Sequence, residues 1–123
     1  MRPLRQRVGA AGETAALAHL RSQGLRILEV DWRCRLGQID IVAEDAGTLV
    51  VVEVKARRGV GFGLPEEAVD ARKRRKLRVL VEAYRQATGR TRQPCRIDVV
   101  GVLLDSRLQV RRCEHIRNAV GGE

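Results

Sequence analysis

Asp40, Glu53 and Lys55 are the residues of this sequence whose types and spacing could do chemistry. Glu53 and Lys55 stand two apart in TLVVVEVKARR, residues 48–58. That run also holds Val50, Val51, Val52 and Val54, the β-branched type that fills the middle of a sheet. Charged side chains are costly in such surroundings unless they are paired or bind something. Two carboxylates that converge offer hard oxygen ligands to Mg²⁺ or Mn²⁺, with waters and a phosphate oxygen filling the other positions. Such an ion acidifies a bound water and polarises phosphorus. A lysine beside it can position that water and neutralise charge as a phosphorane forms.

Whether the acids converge depends on a hairpin. GQIDIVAED (37–45) and the strand from residue 48 flank Ala46-Gly47. A hairpin centred there sets Asp45 against Thr48, Ala43 against Val50 and Asp40 against Glu53. The register is the same for a two- or four-residue loop, and the four-residue loop is expected because Ala-Gly is not a preferred two-residue turn. Opposed side chains share a face, with Cβ atoms about 4.5–5.5 Å apart. Lys55 shares the face of Glu53, and Gln38 falls opposite Lys55. Two readings stand at this point: a metal-ion site, or a cross-strand salt cluster on a solvated face. The apolar surroundings and the use of lysine, in a chain with 21 Arg and only 3 Lys, favour the first.

The elements that would carry these residues follow from pattern. Residues 1–11 are basic and rich in Gly and Ala, and read as a loose lead-in. A short helix is expected over 12–23, with Ala16, Leu17 and Leu20 on one face and Gly24 as its stop. A strand follows at 25–33, with a slip in its alternation, then the hairpin. RGVGFGLP (58–65) is a loop in which Gly59, Gly61 and Gly63 permit mobility or close approach to a ligand, and Phe62 reads as a core anchor, the alternative being a wedge against a base. Pro65 is expected to open a long helix, with Glu66 and Glu67 suiting its positive end and a stripe of Val69, Leu77, Leu80, Val81 and Tyr84. That helix should fade by Thr88–Gly89, before strands at 95–104 and 108–113. The order αβββαββ implies one α/β domain over residues 1–123, a mixed sheet of about five strands flanked by helices.

Charge adds a partner class. The chain carries 24 basic and 15 acidic residues, a net charge of +9. RKRRKLR (72–78) concentrates it on the second helix, where Arg72, Lys73, Arg75 and Lys76 can meet phosphates; a solvated helix face is the plain alternative. Arg57 and Arg58 could reach the same backbone. With one Trp, one Tyr and one Phe, base stacking is a poor fit, and duplex or branched DNA held by its phosphates fits better than sequence-specific RNA reading. His19 and His115 lack ligand-spaced partners. Arg96 and Asp98 alternate with Ile97 and Val99, and either brace the site or point to solvent. Cys34, Cys95 and Cys113 form neither a disulfide framework nor a zinc spacing, so reduced thiols are expected. No apolar run is long enough to span a membrane and no secretory signal is seen, so a cytoplasmic protein is expected.

The combination D-x12-E-x-K after a helix that starts with Gly-Glu resembles the catalytic core of the PD-(D/E)xK nuclease superfamily. Residues 8–120, through GAAGETAALAHLRSQGLRILEVDWRCRLGQIDIVAEDAGTLVVVEVKARR, FGLPEEAV and RIDVVGV, are similar to the YraN family of uncharacterised bacterial proteins. That family resembles the archaeal Holliday-junction resolvases in fold. The resemblance implies a restriction-endonuclease-like fold and a metal-dependent endonuclease acting on DNA, the alternative being a nucleic-acid-binding protein that keeps the fold without the chemistry. It implies Asp40 and Glu53 as ligands of Mg²⁺ or Mn²⁺, Lys55 as the catalytic lysine, and Glu13 as a helix-borne acid facing the site. Without it, Glu13 is simply an acid suited to a first helical turn. A junction resolvase needs two active sites, so a homodimer belongs to that reading. The chain departs from the family's G-E-I-D at Gly37-Gln38-Ile39-Asp40. Gln38 keeps an oxygen but loses the charge; metal affinity should be weaker if that position binds the ion, whereas a bond to Lys55 would survive.

Overall fold

A computed structural model describes residues 1–59 and 70–120. The chain runs α1 (Leu4–Ser22), β1 (Arg26–Cys34), β2 (Gly37–Asp45), β3 (Thr48–Arg58), α2 (Ala71–Thr88), β4 (Cys95–Leu104) and β5 (Val110–Ile116). The strands form one mixed sheet in chain order. β3 and β4 are parallel, with α2 between them in sequence, and the other neighbours are antiparallel. The expected five-stranded mixed sheet flanked by helices is therefore the architecture.

The sheet separates two cores. Alternate residues of β3 face opposite ways: Leu49 and Val51 meet Leu77, Leu80, Val81 and Tyr84 of α2, while Val50 and Val52 meet Ala16 and Leu20 of α1. Trp32 of β1 closes the first core edge-to-face on Tyr84, ring centroids 5.2 Å apart.

Three expectations need correction. Residues 1–11 are not a loose lead-in: α1 starts at Leu4. Val8 and Ala11 pack against the core beneath the helix, so tertiary contact outweighs the helix-breaking cost of Gly9 and Gly12. The hairpin loop has two residues, not four, since Asp45 pairs with Thr48. Ala46 and Gly47 both take positive φ, 49° and 89°, the primed geometry that suits strand twist, and Ala46 carries the strain that made it look unsuitable. The last strand runs to Ile116 rather than ending at 113.

The expected helix start at Pro65, with Glu66, Glu67 and Val69, lies outside the described residues, as do Gly61, Phe62 and Gly63. Within them, α2 begins at Ala71, where the Asp70 carboxylate accepts the Lys73 N–H at 2.9 Å. Gly89, at φ 72°, caps the other end where the pattern faded.

Candidate active site

β2 lies beside β3 for only part of its length. The paired residues run from Asp45↔Thr48 to Ile41↔Val52, in the expected register. Beyond that point β2 stays with β1, through Trp32↔Ile39 to Cys34↔Gly37. β3 stays with β4 out to Arg58↔Leu104. The sheet forks, and Asp40 and Glu53 are the first residues past the fork.

The fork changes what the two acids do. Asp40 is not in a ladder pair with Glu53; its carboxylate reaches across and accepts the Val54 N–H at 2.8 Å. Glu53 is 6% exposed, one of two buried charged residues among those described. Burial pushes the Asp40 pKa up to about 7; the Glu53 charge and a side-chain hydrogen bond with Glu53 add to this, against the Val54 N–H. The pair is thus short of positive charge on the Asp40 side.

Glu53 has two lysines. Lys73 Nζ lies 2.8 Å from Glu53 Oε2, and Lys55 Nζ 3.8 Å from the same oxygen. Lys73, expected among the phosphate contacts, pairs with the buried acid. The stem of Lys76 lies against the first residue of β2: a Cβ on Gly37 would come within 3.1 Å of Lys76 Cε. All three lysines of the chain thus gather around the fork or its rim.

α1 supplies the other wall. A Cβ placed on Gly12 would sit 2.4 Å from Ala56 Cβ, so only glycine lets the helix lie this close to β3. That approach puts Glu13 into a cleft of about 520 Å³ with Asp40, Lys55 and Gln38. Burial raises the Glu13 pKa, and Asp31 adds to it.

Asp31 was not singled out in the sequence. It stands in β1 at a left-handed φ of 59°, and its carboxylate accepts the Gln38 amide. Gln38 therefore bonds Asp31 rather than Lys55. The signal that could have found Asp31 was the first hairpin, where the spacing about Arg35-Leu36 carries Val30 to Ile41 and Trp32 to Ile39, and so Asp31 to the level of Asp40.

The remaining basic candidates are exposed: Arg57 and Arg58 at the end of β3, still paired with β4, and Arg72, Arg75 and Lys76 on α2. Asp98 does not point to solvent. It is fully buried on β4, taking Arg96 Nε at 3.0 Å, the Asn118 N–H at 2.8 Å and His115 Nε2 at 2.7 Å. The His19 ring stands edge-on to His115, centroids 6.2 Å apart.

Among the described residues no three His, Cys, Asp or Glu side chains close around a metal position. Two convergent carboxylates nonetheless fit Mg²⁺ or Mn²⁺, ions that bind through one or two carboxylates and complete their shell with water and phosphate. The raised Asp40 pKa agrees with that fit: below about pH 7 the pair keeps a proton that a bound cation would displace.

The profile of the uncharacterised protein family UPF0102 matches residues 12–102. A UPF0102 protein of Pelotomaculum thermopropionicum is 43% identical over 119 residues, 97% of this chain and 99% of that protein. One of Moorella thermoacetica is 46% identical over 94% of this chain and 96% of its own length. One of Clavibacter michiganensis is 51% identical over 80% of this chain and 83% of its own.

Proposed function

The chain belongs to the UPF0102 family, the YraN family that its sequence resembles, and we propose that it is a metal-dependent endonuclease that hydrolyses phosphodiester bonds in DNA, branched DNA included. The observation that carries this reading is the Asp40–Glu53 pair at the fork, with Lys55 3.8 Å from Glu53 and an open cleft in front of Asp40.

Asp40 and Glu53 would hold Mg²⁺ or Mn²⁺, with Glu13 in support. The ion, when bound, supplies Lewis-acid polarisation of the phosphoryl group and a more acidic water. The protein's own groups do the rest. The Val54 N–H fixes one Asp40 oxygen against β3. The buried position of Glu53 keeps its carboxylate in one orientation against Lys55 and Lys73. Lys55, three-quarters buried, can donate to the attacking water and then to the phosphorane oxygens as negative charge builds. Arg57, Arg58, Arg72, Arg75 and Lys76 would hold flanking phosphates, which positions the bond without reading the bases. Cleavage of a junction on both strands would need two copies of the site, hence a homodimer. No described helix is long and apolar enough to cross a membrane, and three unpaired thiols suit a cytoplasmic setting.

A second reading has its own observation. Lys73 neutralises Glu53 from within the protein, and the Gln38 amide, not a carboxylate, stands beside Asp31. Both suit a nucleic-acid-binding protein whose acids are internally satisfied.

The two readings separate in a cleavage assay on single-stranded, duplex and four-way-junction DNA with Mg²⁺ or Mn²⁺. The endonuclease reading expects cutting of at least one substrate and a loss of about 100-fold or more in Lys55→Met. No cutting by the wild type, or equal cutting by Lys55→Met, leaves the binding protein.

A further inference from the structure

We propose that Arg2 and Arg5, at the start of α1, form with Arg57 the seat for the nucleic-acid backbone beside the fork, so that α1 carries both an acid of the site and the cations that hold its substrate. This rests on the nucleic-acid reading above.

Successive turns of α1 present Arg5, Gly9 and Glu13 to one cleft. Glu13 sits at the inner end, with Asp40. Arg2 and Arg5 stand toward the outer end, and Arg57 of β3 faces the same space. Gly9 leaves the wall between them low, since nothing lies within 4 Å of where its Cβ would be.

The cations are uncommitted. Among the described residues the Arg2 and Arg5 side chains make no hydrogen bond or ion pair, and the Arg57 side chain bonds only the neighbouring Ala56 carbonyl, at 3.1 Å. Other arginines do find a carboxylate: Arg26, Arg33, Arg85, Arg90, Arg96, Arg112 and Arg117 each pair with one. Nor is this for want of acids, because Glu13 and Asp31 line the same cleft. A phosphodiester backbone supplies the missing anions at short, regular spacing, and guanidinium groups bind phosphate with paired donors. The acidic inner end excludes phosphate unless a cation or Lys55 intervenes; the basic rim attracts it. One cleft thus holds a strand at its rim and presents one phosphate to the acids.

The test is fluorescence anisotropy with a short fluorescein-labelled DNA duplex and a labelled four-way junction, in chelator so that nothing is cut. The variants are Arg2→Gln/Arg5→Gln, Arg2→Lys/Arg5→Lys, and Arg21→Gln/Arg92→Gln. The last removes the same charge at exposed positions, with Arg21 about 24 Å along the helix from Arg5. Arg2→Gln/Arg5→Gln is expected to bind about tenfold or more weakly, with a salt slope smaller by about two. Lysine at both positions should restore most of the affinity, and the remote pair should bind within about threefold of wild type. Unchanged thermal melting shows that the fold is intact. If Arg2→Gln/Arg5→Gln binds like wild type, or no worse than the remote pair, this inference falls and the endonuclease reading stands. If the wild type binds neither probe at low salt, both fall.

Discussion

Asp98 and Asp40 sit on strands either side of β3, and they solve the problem of a buried carboxylate in opposite ways. Asp98 is the more buried, with none of its surface exposed. Burial pushes its pKa up, but His115, the Asn118 N–H and Arg96 outweigh that and hold it below the ordinary carboxylate value. Arg96 in turn also reaches Asp45, which Arg117 shares. Asp40 is less buried, yet it faces Glu53, and its pKa rises to about 7. Depth of burial therefore does not mark the candidate site. Charge left without a matching partner does, because a fold optimised only for stability would have paired it.

The comparison breaks most visibly at Asp98. Asp98→Asn keeps the shape but removes the buried charge that Arg96 and His115 meet, leaving Arg96 only Asp45, so a loss of about 3–5 kcal/mol is expected in urea unfolding. A loss below about 1 kcal/mol would mean that the network is incidental.

Asp40→Asn should act with the opposite sign. A carboxyl group whose folded pKa lies above its unfolded value of 3.8 binds more protons in the folded state. Its stabilising contribution is present at low pH and is lost as pH rises through about 7. In chelator, Asp40→Asn should therefore be more stable than wild type at pH 8, by at most about 4 kcal/mol, with the advantage gone near pH 4. A variant that loses stability at pH 8 would show Asp40 to be a structural acid like Asp98.

Two glycines of α1 sharpen the contrast between contact and cleft. Gly12→Ala forces a methyl into Ala56 and should cost about 1–3 kcal/mol while lifting Glu13 from the site. Gly9→Ala meets nothing and should gain about 0.5–1 kcal/mol from helix propensity. Thermal melting of the two variants, compared with wild type, reads both signs.

Much of this was legible in the sequence. The alternation of β2 and β3 and the single possible centre of their hairpin gave the level of Asp40 and Glu53, because strand register is a matter of counting. Counting could not show the fork, which depends on β1 and β4 pulling their neighbours apart. It therefore missed that Asp40 bonds the β3 backbone rather than simply facing Glu53. Lys73 looked like one basic residue in a run of six, RKRRKLR; only the packing angle of α2 aims it at Glu53. The helical character of residues 4–11 was hidden by two glycines whose use is tertiary: Gly12 permits contact with Ala56, and Gly9 leaves room. His115 and Asp98 meet because β5 lies beside β4, and His19 reaches His115 from α1.

The central claim is the proposal that the Asp40–Glu53 pair at the fork binds a divalent cation. Thermal melting at pH 8, with chelator or with millimolar Mn²⁺, tests it on wild type, Asp40→Asn and Glu53→Gln. The account predicts a rise of several degrees with Mn²⁺ in the wild type. It predicts no rise in either variant, even though Asp40→Asn starts from the higher melting temperature. A wild type that melts at the same temperature with and without Mn²⁺ would contradict it.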